Sequence, residues 1–450
     1  MSASFEPIGL WFLAPIAFLL FFKGLKRSSH PVLFTFIFAF ISHLLILQWS
    51  GKYVGVLPWL ALTLLQTLFY LPIGLFFRRF KSIIALVPLI LALEEVRARF
   101  PFGGFGWTRI AFSQSNAPYI HLVSIGGVLL VSAIVLFTAA LLETINWRRL
   151  ALVSFIVISP VFLFHPSSSM NNLEVIGVQG NTPVAGIGFN DRAMAVFDLH
   201  ASETVARVKK KYDLIVWPEN AVDVDPTTNK KVGDELTRLA REFKTPLIVG
   251  AVLNSRGSLE NTSILYSANG KISSIYVKRH LTPFGEYMPL RSLAEFLSPY
   301  ANLVNDFSPG DKRVTHRVKG YELGPIICYE LIDDGLVRDM ARHSNALIVQ
   351  TNSATFAGTA EGRQQLAITR IRAIEHAREI LSISTVGPSA MISYDATIRS
   401  LSDENVSSQI EGSLEMREDK TISSNLGGVA PLLVLFLSSV LAMRFRRTLR

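Results

Sequence analysis

Long apolar segments fill the first third of the chain, and one more lies near its C-terminus. A helix that crosses the hydrocarbon core of a bilayer needs about 20 mostly apolar residues. The composition agrees, because 50% of all residues are hydrophobic and only 18% are charged. We therefore predict an α-helical transmembrane bundle of about six helices in residues 1–165 and a C-terminal transmembrane helix with a basic tail in residues 426–450. The apolar segments are Pro7–Phe22, Pro31–Gln48, Val54–Phe77, Ser82–Leu93, Ile120–Leu142, Leu150–Phe164 and Leu426–Met443.

Three of these segments leave alternatives open. The first and the sixth are marginal in length for a spanning helix. The fourth is short and runs into Glu94 and Glu95, so its inner end must be polar or wet. A signal peptide is the alternative for the first segment, but no charged region precedes it and no clear cleavage site follows it.

Basic loops between the apolar segments predict the orientation in the plasma membrane. The stretches "KGLKRSS", "RRFK", "NWRR" and "RFRRTLR" are all compatible with a cytoplasmic position, as the excess of Lys and Arg in cytoplasmic loops requires. This multi-pass arrangement places residues 166–425 on the extracytoplasmic side. It also places the N-terminus outside, which a helix missing upstream would explain. Because the net charge of +9 comes from these short clusters, we expect no nucleic-acid partner.

Residues 166–425 have the pattern of an α/β domain. Short apolar runs suit strands that are buried on both faces. Helix-like stretches lie between them, and "NTSILYSANGKISSIYVKRH" predicts a hairpin with Asn269 and Gly270 at the turn. The strand-like runs are "LEVIGVQG", "DLIVWPE", "PLIVGAVL", "GPIICYE", "ALIVQTN" and "ILSISTVG".

Three of the strand-like segments end in side chains that can do chemistry. Glu219 follows "LIVWP", Lys278 follows "SSIYV", and Cys328, the only cysteine, follows "GPII". Each has an ordinary structural explanation when taken alone: a helix N-terminal acid, a solvated hairpin charge and a small buried hydrophobe. Taken together they supply a thiol nucleophile, a base and a cation for the oxyanion of acyl transfer.

The order of these motifs resembles a known family. "WPE", then a lysine with "PFGEY", then "CYE" is the pattern of the carbon–nitrogen hydrolase (nitrilase) superfamily, and the flanking apolar segments make the chain similar to the apolipoprotein N-acyltransferase family. The resemblance extends to "VQGN", "EEVR", "FGGFGW" and an R-x-R-A-x-E run at residues 370–375. The stretch "NSATF" at residues 352–356 resembles actinobacterial members.

This resemblance implies a nitrilase-like αββα sandwich beside the membrane helices, with Glu219, Lys278 and Cys328 as the catalytic triad. It further implies a ping-pong acyltransferase that moves a fatty acyl chain from a phospholipid, through a thioester, to the N-terminal amine of a diacylglyceryl-cysteine lipoprotein. We expect no cofactor, no metal and a monomer. The alternatives are a membrane-tethered amidase that acts on a soluble amide, and a scaffold without catalytic activity.

The resemblance also implies supporting residues around the triad. Glu286 is similar to a second family glutamate that orients the lysine, although a solvated loop acid is the alternative. Glu330 and Tyr329 would support the nucleophile, although Glu330 also suits the start of a helix. Apart from the resemblance, Arg370 and Arg372 suit either a phosphate contact or the surface of a helix.

Overall fold

The computed structural model describes residues 1–143, 154, 169–182, 193–255, 257–297, 302 and 305–448. The chain divides into two compact units, one formed by Met1–Pro166 with Thr421–Arg450 and the other by Ser167–Lys420. The "NWRR" loop and, apart from residue 154, the predicted sixth apolar segment Leu150–Phe164 lie outside the described residues.

The regular secondary structure of the first unit is helical in its described residues, and turns and short 3₁₀ segments connect the helices. Its helices are α1 (Leu13–Arg27), α2 (Pro31–Ile46), α3 (Gly51–Val54), α4 (Val56–Leu68), α5 (Leu71–Phe80), α6 (Leu86–Arg97), α7 (Val123–Leu142), α13 (Ile422–Leu426) and α14 (Val429–Thr448).

Two helical stretches among the described residues, Val56–Phe80 and Ile120–Leu142, are long and apolar enough to cross a membrane. The apolar helices Pro31–Ile46 and Val429–Arg444 are shorter. The complete transmembrane bundle therefore stays a prediction.

The boundaries of two predicted segments differ from those of the helices, for local reasons. The first helix begins at Leu13, because the residues after Pro7 form turns around Gly9, whose φ of 66° a helix does not tolerate. The third segment is divided into α4 and α5. Pro72 lies in the first turn of α5, where its missing N–H costs nothing, so the chain ends one helix and begins another there.

The polar end predicted for the fourth apolar segment is present at the end of α6. Glu95 forms an ion pair of 2.7 Å with Arg109, and Glu94 accepts the backbone N–H of Ile110 at 2.6 Å. The side chain of Arg97 is also buried, at 1% exposure. Partners within the protein thus compensate for these charges in an apolar helix.

The second unit contains two six-stranded sheets, which confirms the nitrilase-like sandwich. The strand order is β12-β1-β2-β3-β4-β5 in one sheet and β11-β10-β9-β8-β7-β6 in the other. The strands are β1 (Asn171–Gln179), β2 (Leu214–Val216), β3 (Leu247–Ser255), β4 (Ser258–Tyr266), β5 (Ile272–Val277), β6 (His316–Val318), β7 (Tyr321–Ile327), β8 (Ala346–Thr351), β9 (Ile380–Ser384), β10 (Ala390–Ile392), β11 (Ile398–Leu401) and β12 (Ser408–Met416).

Helices cover the outer faces of the two sheets. They are α8 (Ala193–Arg207), α9 (Lys230–Phe243), α11 (Asp334–Arg342) and α12 (Glu361–His376), while the short helix α10 (Arg291–Leu297) lies in the connection between β5 and β6.

Each sheet is parallel at its centre and buried on both faces. β1, β2 and β3 run parallel, as do β7, β8 and β9. Side chains such as Val216, Ile348 and Leu381 fill the layer between the sheets, and Ile215 and Val249 pack under the outer helices. This two-sided burial explains the continuous apolar runs in the sequence. The β4–β5 hairpin is confirmed too, with Gly270 at its turn.

Candidate active site

Three strand ends place Glu219, Lys278 and Cys328 together, as the sequence predicts. Glu219 lies three residues after β2, while Lys278 and Cys328 directly follow β5 and β7. Lys278 Nζ lies 3.4 Å from Glu219 Oε1, and the Cys328 thiol interacts with the same carboxyl group and helps to lower its pKa. Because strand ends are held by the sheets, the three groups are positioned by the fold itself.

A close approach of the backbone fixes the position of Glu219. At Gly250 in β3, a Cβ atom would lie 2.3 Å from the backbone oxygen of Pro218 and 2.6 Å from Glu219 Cα. No side chain fits there, so only glycine allows β3 to pass this near. Thr385 also donates a hydrogen bond of 3.2 Å to the backbone oxygen of Glu219.

Cys328 has an unusual backbone conformation. Its φ of 49° lies in the left-handed region, where residues other than glycine are strained. The strained position marks an abrupt change from β7 to the short 3₁₀ helix Cys328–Ile332. Gln365 of α12 donates a hydrogen bond of 3.5 Å to the Cys328 sulfur.

Lys278 is a buried cation between two carboxylates. Its side chain is 1% exposed, and its Nζ lies 2.7 Å from Glu286 Oε2 and 3.4 Å from Glu219 Oε1. Burial alone lowers the pKa of Lys278, but the negative charges of Glu286 and Glu219 outweigh it and raise the pKa above its ordinary value. The lysine therefore keeps its positive charge at any physiological pH.

Asn261, which the sequence analysis missed, joins the two carboxylates. Its Nδ2 donates to Glu219 Oε1 at 2.8 Å and to Glu286 Oε1 at 2.6 Å. Glu286 also accepts the backbone N–H of Thr282 at 2.7 Å. Burial raises the pKa of Glu286, but the Lys278 charge and these hydrogen bonds hold it below its usual range. Glu286 is thus an ionised partner of the lysine and not a solvated loop acid.

The two residues after Cys328 are buried as well. Glu330 is fully buried and accepts hydrogen bonds from the hydroxyl of Tyr276, at 2.7 Å, and the backbone N–H of Ile327, at 2.8 Å. Tyr329 is 4% exposed and packs edge-on against the ring of His280, with 5.4 Å between centroids. Glu330 therefore connects the turn at Cys328 to the hairpin that precedes Lys278.

Glu219 and Cys328 share a low-polarity environment that disfavours negative charge on either. Burial raises the pKa of Glu219, while Lys278 and hydrogen bonds from Asn261 act in the opposite direction. Burial, and then the nearby Glu219 carboxylate, raise the pKa of the Cys328 thiol well above its ordinary value, although Lys278 lowers it. The resting thiol is therefore protonated, and a base must take its proton as it reacts.

Helix α12 contributes Gln365 and Glu361, which no motif indicates, and Arg372 of the R-x-R-A-x-E run. Besides Gln365, its first residue Glu361 interacts electrostatically with both Cys328 and Glu219. Arg372 lies in the same helix and is fully buried. It donates to the backbone oxygen of Leu331 at 2.8 Å, so it holds the turn after Cys328 and does not lie on a helix surface.

The two units match two family models. Residues 1–141 match the apolipoprotein N-acyltransferase N-terminal domain, and residues 187–411, half of the chain, match the carbon–nitrogen hydrolase family. The chain belongs to the carbon–nitrogen hydrolases, and within them to the apolipoprotein N-acyltransferase family.

Relatives of that name cover much of the chain. A Mycolicibacterium smegmatis apolipoprotein N-acyltransferase is 29% identical over a gapped alignment of 478 positions, which covers 95% of this chain and 80% of the relative. A Pseudomonas paraeruginosa member is also 29% identical, over 69% of this chain and 63% of its own length. The solved carbon–nitrogen hydrolase of Helicobacter pylori G27 is 15% identical, with a TM-score of 0.43, and covers 59% of this chain and 94% of its own.

Proposed function

We propose that this chain transfers a fatty acyl group from a phospholipid to the N-terminal amine of a diacylglyceryl-cysteine lipoprotein, through a thioester on Cys328. The observation that carries the proposal is the meeting of the Cys328 thiol, the Glu219 carboxyl group and the Lys278 ammonium in a carbon–nitrogen hydrolase unit. The match of residues 1–141 to the apolipoprotein N-acyltransferase N-terminal domain supports the substrates.

The first half-reaction makes the thioester. Glu219 takes the thiol proton while the sulfur attacks the carbonyl carbon of a phospholipid ester, because the buried thiol is not ionised beforehand. The buried Lys278 ammonium and the backbone N–H of Tyr329 stabilise the oxyanion. When the tetrahedral intermediate collapses, Glu219 returns the proton to the leaving lysophospholipid oxygen.

The second half-reaction transfers the acyl group to nitrogen. A neutral α-amine attacks the thioester carbonyl carbon, and Glu219 takes a proton from the attacking nitrogen. The C–S bond then breaks, and Glu219 delivers that proton to the sulfur of Cys328. Lys278 and Tyr329 act on the oxyanion as before, since both half-reactions pass through one. Glu286 and Asn261 position Lys278 and Glu219 throughout.

The membrane supplies both substrates in this proposal. We assign residues 1–165 to about six membrane helices, residues 166–425 to an extracytoplasmic catalytic domain, and residues 426–450 to a final membrane helix with a cytoplasmic basic tail. The apolar stretches Val56–Phe80 and Ile120–Leu142 support this assignment, as do the basic loops between apolar segments.

Mass spectrometry of the intact full-length protein after incubation with phospholipid vesicles tests the proposal. We expect the protein to gain the mass of one acyl chain at Cys328 and to lose it when a diacylglyceryl-cysteine peptide is added. No acyl adduct, together with hydrolysis of a soluble amide, would instead indicate the tethered amidase.

The matched control is Cys328→Ala, which removes the sulfur but little volume. We expect this variant to insert and fold, to gain no acyl mass and to keep less than about a tenth of the N-acylation rate, since a tenfold loss is only about 1.4 kcal/mol of barrier. A larger residual rate would rule out Cys328 as the nucleophile, because the chain has no second thiol.

A further inference from the structure

Glu361 is a buried carboxylate beside the nucleophile that the triad does not use. It is the first residue of α12 and is only 3% exposed. Its Oε2 is shielded from solvent and has no hydrogen-bond partner among the residues that the structure describes. A carboxylate oxygen buried without a partner is costly, so such a group calls for a ligand that the resting protein lacks.

The position of Glu361 on α12 brings it into the site of the nucleophile. Gln365 lies one helical turn later, on the same face of the helix, and its amide reaches the Cys328 sulfur at 3.5 Å. The hydroxyl of Ser353, in the loop after β8, interacts with the Glu361 carboxyl group and lowers its pKa. Oε2 is therefore the oxygen of Glu361 that is available to a substrate group near the thioester.

The charges around Glu361 suit the transfer of a proton near neutral pH. Burial, and then the charge of Glu219, raise the pKa of Glu361 to about 7, although Ser353 acts against them. The titratable groups that face it are Glu219 and Cys328. On its own helix, Arg363 pairs with Glu404 at 2.7 Å, on the exposed side.

The second half-reaction needs a proton acceptor besides Glu219. An N-terminal α-amine has a pKa of about 8, so near pH 7 only about one molecule in ten carries the free lone pair that attacks. Glu219 is occupied with the proton that leaves the attacking nitrogen and returns to sulfur. The extra proton of the arriving ammonium has no acceptor in the triad.

We propose that Glu361 binds the α-ammonium group of the acceptor and takes its first proton, so that the amine reaches the thioester in its neutral form. The inference rests on the proposed N-acyltransferase function and adds a residue to its second step only. The ammonium N–H bond breaks and the proton joins Glu361 Oε2. The nitrogen lone pair then forms the C–N bond, Glu219 passes the second nitrogen proton to the Cys328 sulfur as the C–S bond breaks, and Glu361 later releases its proton to water.

The test separates the two half-reactions in Glu361→Gln, which keeps the shape of the side chain but cannot take a proton. The full-length variant is first incubated with phospholipid vesicles, and thioester formation is followed by intact mass. A peptide with an N-terminal S-diacylglyceryl-cysteine is then added, and loss of the acyl mass from Cys328 is followed over a range of pH. Glu242→Gln, which neutralises a half-exposed carboxylate on α9, is the control.

We expect Glu361→Gln to form the thioester at close to the wild-type rate. Near pH 7 this variant should transfer the acyl group to the peptide about tenfold more slowly than the wild type. The difference should disappear above about pH 9, because the amine is already neutral there. Glu361→Asp, which restores a carboxylate, should recover part of the loss, and Glu242→Gln should match the wild type.

Three results would overturn the inference. Glu361→Gln could transfer the acyl group at the wild-type rate at all pH values, or its acyl-transfer rate could be reduced by the same factor at every pH. The third result is that this variant forms no thioester. If the wild-type enzyme itself forms no thioester, the proposed function fails, and the role of Glu361 fails with it.

Discussion

The Glu330 carboxylate accepts a hydrogen bond of 2.7 Å from the backbone N–H of Arg279, the residue that follows Lys278. The same oxygen accepts the N–H of His280 at 3.3 Å, and the other oxygen accepts the N–H of Ile327, which precedes Cys328. One buried carboxylate thus joins the segments that carry the proposed oxyanion cation and the proposed nucleophile. We infer that Glu330 sets the spacing between Lys278 and Cys328 without contacting a substrate.

Glu330→Gln should weaken both stability and catalysis. An amide keeps one oxygen but turns an NH₂ group toward backbone N–H donors, and each buried donor left unpaired costs about 1–3 kcal/mol. We expect a lower Tm in detergent, together with a fall in the rate of thioester formation, measured by intact mass. A wild-type rate of thioester formation would show that Glu330 does not position the triad.

Tyr276→Phe is the matched comparison for that variant. It removes one hydroxyl donor to Glu330, at 2.7 Å, and leaves the three backbone donors in place. We expect a small fall in Tm and nearly full activity. If Tyr276→Phe were as damaging as Glu330→Gln, the hydroxyl contact and not the backbone contacts would hold the segments together.

Much of the second unit is evident from the sequence alone. Continuous apolar runs such as "ALIVQTN" predicted strands buried on both faces, and these are the central strands of the two sheets. The candidates Glu219, Lys278 and Cys328 are recognisable because each follows a strand-like apolar run, and the two sheets bring these strand ends together: β2 and β5 lie in one sheet and β7 in the other.

Other parts of the site carry no local pattern. Asn261 lies within β4, where an isolated polar residue looks like any solvent-facing position, and only the pairing of β4 with β3 and β5 reveals its two carboxylate partners. Glu361 looks like an ordinary acid in the first turn of a helix. The break between α4 and α5 was missed because the apolar run continues through Pro72. These features depend on contacts between residues that are distant in the sequence.

The alkylation of Cys328 should report a thiol that stays protonated at neutral pH. Because burial and the Glu219 carboxylate raise the pKa of this thiol well above the ordinary 9.0, the rate of reaction with iodoacetamide should still rise beyond that pH. The single cysteine makes the modification easy to follow by intact mass. A plateau reached near neutral pH would indicate a preformed thiolate and would contradict the proposed role of Glu219 as a base during attack.

The proposed topology predicts on which side of the membrane the end of the catalytic domain and the C-terminus of the chain lie. A reporter fused after residue 450 should work only if it is a cytoplasmic reporter, because the basic sequence "RFRRTLR" favours the cytoplasm. Alkaline phosphatase fused near residue 420, after the second unit, should instead be active. A fully active alkaline phosphatase fusion at the C-terminus would reverse the assigned orientation.

The last prediction separates Glu219 from Lys278 by the pH dependence of Cys328 alkylation. Near neutral pH the thiol needs a base, so Glu219→Gln should be alkylated more slowly than the wild type. At high pH hydroxide removes the proton, and the Glu219 charge, which raises the thiol pKa, then hinders the reaction. The Glu219→Gln profile should therefore cross that of the wild type and exceed it at high pH.

Lys278→Met should behave differently, because the lysine charge lowers the thiol pKa at every pH. The rate of Cys328 alkylation in this variant should stay below that of the wild type at every pH, and acyl transfer should be lost in both variants.

Removal of Lys278 leaves the buried Glu286 without the cation that lies 2.7 Å away. The Tm of each variant is therefore measured first, and Lys278→Met is compared with Lys278→Met/Glu286→Gln. If Lys278→Met lost no reactivity at high pH, or if the Glu219→Gln profile stayed below the wild type without crossing, the division of roles between base and cation would be wrong.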